Sequence, residues 1–185
     1  RKDEERTLVM EKAEFIANAL RAEKVRVHID ARDTMKPGPK YYEWERKGVP
    51  MRIEIGPRDV AAQKLMTVMR TEWSGGERKE SLDELAAMTL IPQRLDAYQR
   101  FLLQRAIERR EASSHRGIED YGRLREIVEG DGGFVYAGWC GSAECEQKVK
   151  EDTKATIRVL PSAEFRSADA PKRCTVCGGA SQTEA

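Results

Sequence analysis

From residue 3 to residue 22 the apolar side chains Leu8, Val9, Phe15, Ile16, Ala19 and Leu20 recur close to every third or fourth position among charges, which predicts an amphipathic helix. The pattern then changes period. Val25-Arg26-Val27-His28-Ile29-Asp30 alternates apolar and polar, as a half-buried strand does, and Asp33-Thr34-Met35-Lys36-Pro37-Gly38-Pro39 can only be a loop. Lys40 to Lys47 fits two turns of helix stopped by Gly48, and Met51-Arg52-Ile53-Glu54-Ile55 alternates again until Gly56-Pro57. Lys64 to Arg70 reads as a strand, Ser74-Gly75-Gly76 as a turn, and Lys79 to Leu82 as a short paired strand. Helix, strand, helix and three strands describe a compact α/β or α+β domain ending near residue 90.

Beyond it, a long charged helix is predicted from Pro92 to Arg116, with Leu95, Tyr98, Phe101, Leu102 and Ala106 on one face. Ile118 to Val128 suits another helix, Phe134 to Trp139 a strand delivering Cys140, and Glu144 to Glu151 a short helix carrying Cys145. Ala155 to Leu160 alternates as a strand, and a polar loop from Ser162 to Lys172 returns the chain to Cys174. The expected organisation is a domain over 1–91, a linking helix over 92–116 and a second, α+β domain over 117–185. No internal repeat or long low-complexity tract is found.

Composition narrows the function classes. The 185 residues are 39% hydrophobic, enough for a modest core in each of two domains. Thirty-three Lys and Arg against 32 Asp and Glu give a net charge of +1, so any attraction to a polyanion must come from local patches. No apolar run approaches the ~18 residues that a membrane helix needs, and residues 1–22 lack the apolar stretch of a signal peptide. A cytoplasmic location without a membrane partner is expected. The first residue, Arg1, is not Met, and the expectation is a piece of a longer polypeptide.

The four cysteines, Cys140, Cys145, Cys174 and Cys177, all lie in the last quarter of the chain as a Cys-x4-Cys and a Cys-x2-Cys pair. This clustering fits a four-thiolate structural zinc site better than a disulfide frame or an iron–sulfur centre. Catalytic zinc normally keeps a position open for water and uses three protein ligands, which this set does not suggest. The segment from Pro37 to Asp59 is the other candidate. It mixes Tyr41, Tyr42 and Trp44 with carboxylates and guanidiniums, the groups that stack on unpaired bases and bond to their edges. A solvated helix face with Trp44 as a core anchor is the plainer alternative. His28 and His115 are far apart, and neither a phosphate-binding glycine loop nor a Ser/His/Asp pattern occurs.

The run from Val25 to Asp59, with its Tyr-Glu-Trp-Glu and Gly-Val-Pro-Met-Arg-Ile-Glu-Ile-Gly-Pro-Arg-Asp, resembles the anticodon-binding domain of prolyl-tRNA synthetases. The Cys-Gly-Ser-Ala-Glu-Cys at 140–145 and Cys-Thr-Val-Cys at 174–177 resemble the extra C-terminal zinc-binding domain of the archaeal and eukaryotic-like form of that enzyme. The resemblance implies an α/β anticodon domain with a mixed sheet flanked by helices, followed by a small zinc-binding α+β domain. It departs from the family in three places: the apolar strand before the first helix is missing, the upstream catalytic domain is absent, and the chain stops short of the family's terminal tyrosine. Both ends therefore look cut.

The resemblance implies recognition of tRNA(Pro) by a class II ligase that attaches proline to tRNA using ATP and Mg2+, with both of these, and proline, bound in the absent catalytic domain. The parent is expected to dimerise through that domain, leaving this piece monomeric and without catalytic residues of its own. A freestanding RNA-binding module, or a zinc-stapled interaction domain, is the alternative. Proline anticodons carry two adjacent guanines, whose N1 and N2 hydrogens suit carboxylates and whose O6 and N7 suit cations. The resemblance places base reading on Glu45, Arg52, Arg58 and Asp59. Lys40 is expected at the phosphates with Lys36, Arg46 and Lys47, and Trp44 with Tyr41 at a stacking face.

Overall fold

A computed structural model describes residues 2–185, which divide between Arg105 and Ala106 into two compact units. In the first, α1 (Lys2–Ala22), α2 (Pro37–Arg46) and α3 (Pro57–Ala62) accompany β1 (Met51–Glu54), β2 (Lys64–Met69) and β3 (Lys79–Asp83); α4 (Glu84–Ala112) crosses the division. The strands form one antiparallel sheet in the order β1-β2-β3.

Register decides what each face of this sheet does. Met51, Ile53, Leu65 and Leu82 project to one side, where Ile16 and Leu20 of α1 and Ala87 and Ile91 of α4 close the core. The Lys12 ammonium, 2.8 Å from the Glu84 carboxylate, ties α1 to the start of α4. On the opposite face Arg52 pairs with Val68 and Val68 with Lys79, while Glu54 pairs with Met66. In β1 the period-two alternation thus sends Met51 and Ile53 to one face and Arg52 and Glu54 to the other.

Residues 25–30 are extended but belong to no ladder, although Val25 and Val27 pack on the core. The strand expected there is therefore an extended segment: the alternation buries side chains correctly, but backbone pairing requires a neighbouring strand that the described residues do not supply. The sheet is correspondingly narrower than expected, with its three strands all antiparallel. Helix α4 opens at Glu84, ahead of Pro92, and ends at Ala112 instead of reaching Arg116. Proline is favoured in a first helical turn, which is why the sequence pointed to Pro92 as the start; here it sits inside the helix.

The second unit contains β4 (Ser114–Ile118), α5 (Tyr121–Glu129), β5 (Phe134–Trp139), α6 (Ala143–Thr153), a single 3-10 turn (Ala163–Phe165) and β6 (Thr183–Glu184). Its sheet is ordered β4-β5-β6, with β4 and β5 parallel through α5 and β6 antiparallel to β5. The Asp120 carboxylate caps α5 by accepting from the Arg123 amide at 2.8 Å. Its buried residues include Leu124 and Ile127 of α5, Ala137 of β5 and the cysteines Cys145 and Cys174. Ala155 to Leu160 again alternates without joining a ladder, so this expected strand too is an extended segment.

Candidate nucleic-acid interface and metal centre

Helix α2 is fixed at both ends by local chemistry. Pro37 at its start has no amide hydrogen to leave unsatisfied. At its end Gly48 takes φ +87°, its amide donates to Glu45 O at 3.0 Å and the Val49 amide donates to Trp44 O at 3.1 Å. That pair of bonds is a Schellman motif, which needs a residue in the left-handed region and so favours glycine. The motif turns the chain directly into β1 and sets α2 across the charged face of the sheet.

Glu45 and Arg52 meet there. The Arg52 guanidinium bonds to the Glu45 carboxylate with one nitrogen and, through Nε, to Glu54 Oε1 at 2.8 Å. Its plane lies over the Tyr41 ring, 4.4 Å from the centroid, and the phenol is pushed upward in pKa by burial and then by the Glu54 charge. Arg78 approaches Glu45 at 3.8 Å and Lys79 approaches Glu54 at 3.7 Å. A carboxylate pair and three cations thus alternate on one surface, in a geometry open to solvent at its rim.

The remaining residues singled out in the sequence are placed differently. Trp44 donates its indole N–H to Asp30 Oδ2 at 2.9 Å, with His28 against one side at 4.6 Å between centroids and the Lys47 ammonium 4.4 Å from its ring. Asp30 also accepts from Arg32, whose bonds hold its carboxyl well below the usual range against the opposing cost of burial. Lys40 is drawn onto the same loop: its ammonium bonds to Arg32 O, to Asp30 O at 3.2 Å, and lies 3.5 Å from Asp30 Oδ1. Lys40 and Trp44 therefore brace the loop from 28 to 36 against α2.

Asp59 accepts the Gly56 amide at 2.9 Å and closes the first turn of α3, with Arg58 exposed beside it. The sequence did not single out Asp30 as the anchor of Trp44, nor Arg78 as a second cation on Glu45. Both depend on long-range contacts, Trp44 with Asp30 and Arg78 with Glu45, that a linear pattern does not show.

In the second unit the four cysteines converge. Their sulfurs all lie within 4.8 Å of one another, with Cys140 to Cys145 at 3.6 Å and Cys177 to Cys140 at 3.8 Å. A tetrahedron of about 2.3 Å zinc–sulfur bonds has edges of about 3.8 Å, so these separations suit that ion. Cys140 follows β5 directly, and Ser142 caps α6, accepting from the Glu144 and Cys145 amides at 3.2 and 3.4 Å. The second pair sits on a tight knuckle in which the Cys174 amide donates to Gly179 O and the Gly178 amide to Cys174 O, both at 2.8 Å.

Burial pushes the Cys145 thiol up to about 12, and neighbouring thiols add to the effect. Burial also opposes ionisation of Cys174, but the amides of Cys177, Val176 and Cys140 aimed at its sulfur outweigh it and bring it down to about 6. Backbone donors around a sulfur favour the thiolate that a metal requires.

Gly138 makes the knuckle's approach to β5 feasible. A Cβ there would stand 3.0 Å from the Arg173 carbonyl carbon and 3.1 Å from Pro171 O. The Thr175 amide donates to Gly138 O at 3.0 Å, and the Thr175 hydroxyl donates to Ile118 O at 2.9 Å. Together these bonds lock the knuckle to both parallel strands.

Comparison with known proteins follows this division. Residues 3–89 match the family model described as anticodon binding domain, and residues 121–185 match that of the prolyl-tRNA synthetase C-terminal region. The proline–tRNA ligase of Cenarchaeum symbiosum is 40% identical over 176 residues, covering 95% of this chain and 35% of the relative. That of Symbiobacterium thermophilum is 40% identical over 183 residues, covering 96% and 36%. The chain thus spans about a third of the length of these curated relatives.

Among solved structures, the Cryptosporidium parvum prolyl-tRNA synthetase complexed with L-proline and AMP superposes with a TM-score of 0.74 at 26% identity, covering 95% of this chain and 36% of that one. The Giardia lamblia enzyme in complex with prolyl-adenylate gives 0.75 at 25% identity, covering 100% and 38%. With both units matched in order and by sequence and structure alike, the chain belongs to the prolyl-tRNA synthetase family, in its anticodon-binding and C-terminal domains.

Proposed function

We propose that the first unit reads the anticodon of tRNA(Pro) for a proline–tRNA ligase, and that the second is held together by a structural zinc ion. The observation that carries the first part is the shared surface of Glu45, Arg52, Glu54 and Tyr41, where acceptors for guanine N1–H and N2–H stand beside donors for O6 and N7. Glu45 and Arg52 are assigned to base edges. Arg58 and Asp59, on α3, are assigned to the same anticodon, Asp59 through the carboxylate oxygen that does not cap the helix. Lys40 and Trp44 shape the loop that receives it.

Ligation of proline to tRNA at the expense of ATP, with Mg2+, belongs in this reading to the catalytic part of the family, as does dimerisation. Zinc would be held by Cys140, Cys145, Cys174 and Cys177, where four thiolates supply a closed, structural site, and a reducing cytoplasmic setting would keep them available. The test is binding of the purified chain to anticodon stem-loops with and without the two guanines. Glu45→Ala and Arg52→Ala are expected to remove most of the preference for the guanine loop while leaving the weak binding of the other intact. Equal losses on both RNAs would show that these residues do not read bases.

A further inference from the structure

Arg70 stands at the end of β2 with the parity of Val68, and its amide donates to Pro50 O at 2.9 Å, so its side chain belongs to the same face as Arg52. Its guanidinium comes close to Gly48, where a Cβ would be 3.2 Å from Nη1. The arginines on this face are matched with acids: Arg52 with Glu45 and Glu54, and Arg78 with Glu45. Arg70 is not. Its Nε is buried without a hydrogen-bond partner, and among the described residues no carboxylate pairs with it. A buried charged donor left bare is costly, and such a group in a folded protein calls for an explanation.

The crevice beside it supplies one. Arg70, Arg52, Glu45, Tyr41, Trp44, Val49 and Val68 enclose a space of about 10 Å3. A space of that size admits about one water-sized group and no base ring. We propose that Arg70 is a further specificity residue for the anticodon, donating to the O6 oxygen of one guanine whose N1 and N2 hydrogens are held by Glu45. An oxygen atom entering the crevice meets a donor that has no competing partner. Adenine would bring an amino group to the same point and face donor with donor, so the contact would reject it. The inference rests on the anticodon reading above and extends it to a residue outside the Val25–Asp59 motif.

The experiment compares binding of the 185-residue chain to a stem-loop carrying the guanine pair with binding to loops in which each guanine in turn is replaced by 6-thioguanine. That base keeps both hydrogens and alters only the acceptor. At one of the two positions the unaltered chain is expected to lose about five- to tenfold in affinity. Arg70→Met should bind the two loops equally, whereas Glu45→Gln should keep the sulfur penalty while losing preference for guanine over hypoxanthine, which lacks the N2 amino group.

Arg70→Lys retains the charge without the fork. It should keep general RNA binding and lose most of the O6 effect, even if the methionine variant folds poorly. Unchanged sensitivity to sulfur in both Arg70 variants would overturn the proposal. So would an equal loss on every RNA, which would make Arg70 a phosphate contact. An unaltered chain with no preference for the guanine loop would instead remove the anticodon reading itself, and this assignment with it.

Discussion

Substituting Gly138→Ala tests how the metal centre is built. The added methyl would stand 3.0 Å from the Arg173 carbonyl carbon and 3.1 Å from Pro171 O, against backbone that has no rotamer to retreat into. The knuckle must therefore move away from β5, at an overpacking cost of about 1–3 kcal/mol. The same movement stretches the Thr175 amide bond to Gly138 O, worth about 1 kcal/mol. Together they predict a loss of about 2–4 kcal/mol in the second unit, and a fall of about 30- to 1000-fold in apparent zinc affinity if folding and binding are one process.

Competition with a chromophoric chelator measures the affinity. Amide hydrogen exchange then locates the loss, expected over residues 133–145 and 171–180, with protection over 51–83 unchanged. Unaltered zinc affinity in a folded variant would refute the argument that close approach at Gly138 positions Cys174 and Cys177.

Removing zinc from the unaltered chain with a strong chelator should release the second unit's protection while leaving the first unit's intact; a second unit equally protected without metal would remove the ion's folding role. Asp30→Asn should change the acid response of the first unit. The native carboxyl is depressed by Arg32, so its contribution is full above the unfolded-state value near pH 4 and is lost as pH falls below it toward the folded-state value. The variant should be less stable near neutrality and have a flatter stability profile below about pH 4. An acid limb of the same slope in both would place the linkage elsewhere.

Much of this architecture is legible in the residues. The helices α1, α2, α5 and α6 and the strands β1, β2, β3 and β5 follow from apolar periodicity with Gly and Pro as stops. The cysteine spacing foretold a cluster that the fold does assemble. Other features depend on partners that a linear pattern does not reveal. Val25–Asp30 and Ala155–Leu160 carry a strand's alternation, yet ladder membership requires a neighbour with free backbone groups. Ser-His-Arg-Gly-Ile has almost no apolar content and becomes β4 only because β5 lies parallel to it.

The candidate interface divides the same way. Glu45 and Arg52 are visible as residue types at a suggestive spacing. The bracing of Lys40 and Trp44 against Asp30, and the presence of Arg70 and Arg78 on the same face, emerge only from register and long-range contact.

The mutual grip of Arg52, Glu45 and Glu54 has a consequence for accuracy. In the proposed reading, an RNA that engages these three side chains must outbid an internal rival, because they are already satisfied by one another. A nucleotide offering only half of the required hydrogen bonds leaves the resting arrangement more stable than the bound one, and it departs. Proofreading of this kind is passive and needs no moving parts: selectivity is set by how contented the empty surface is.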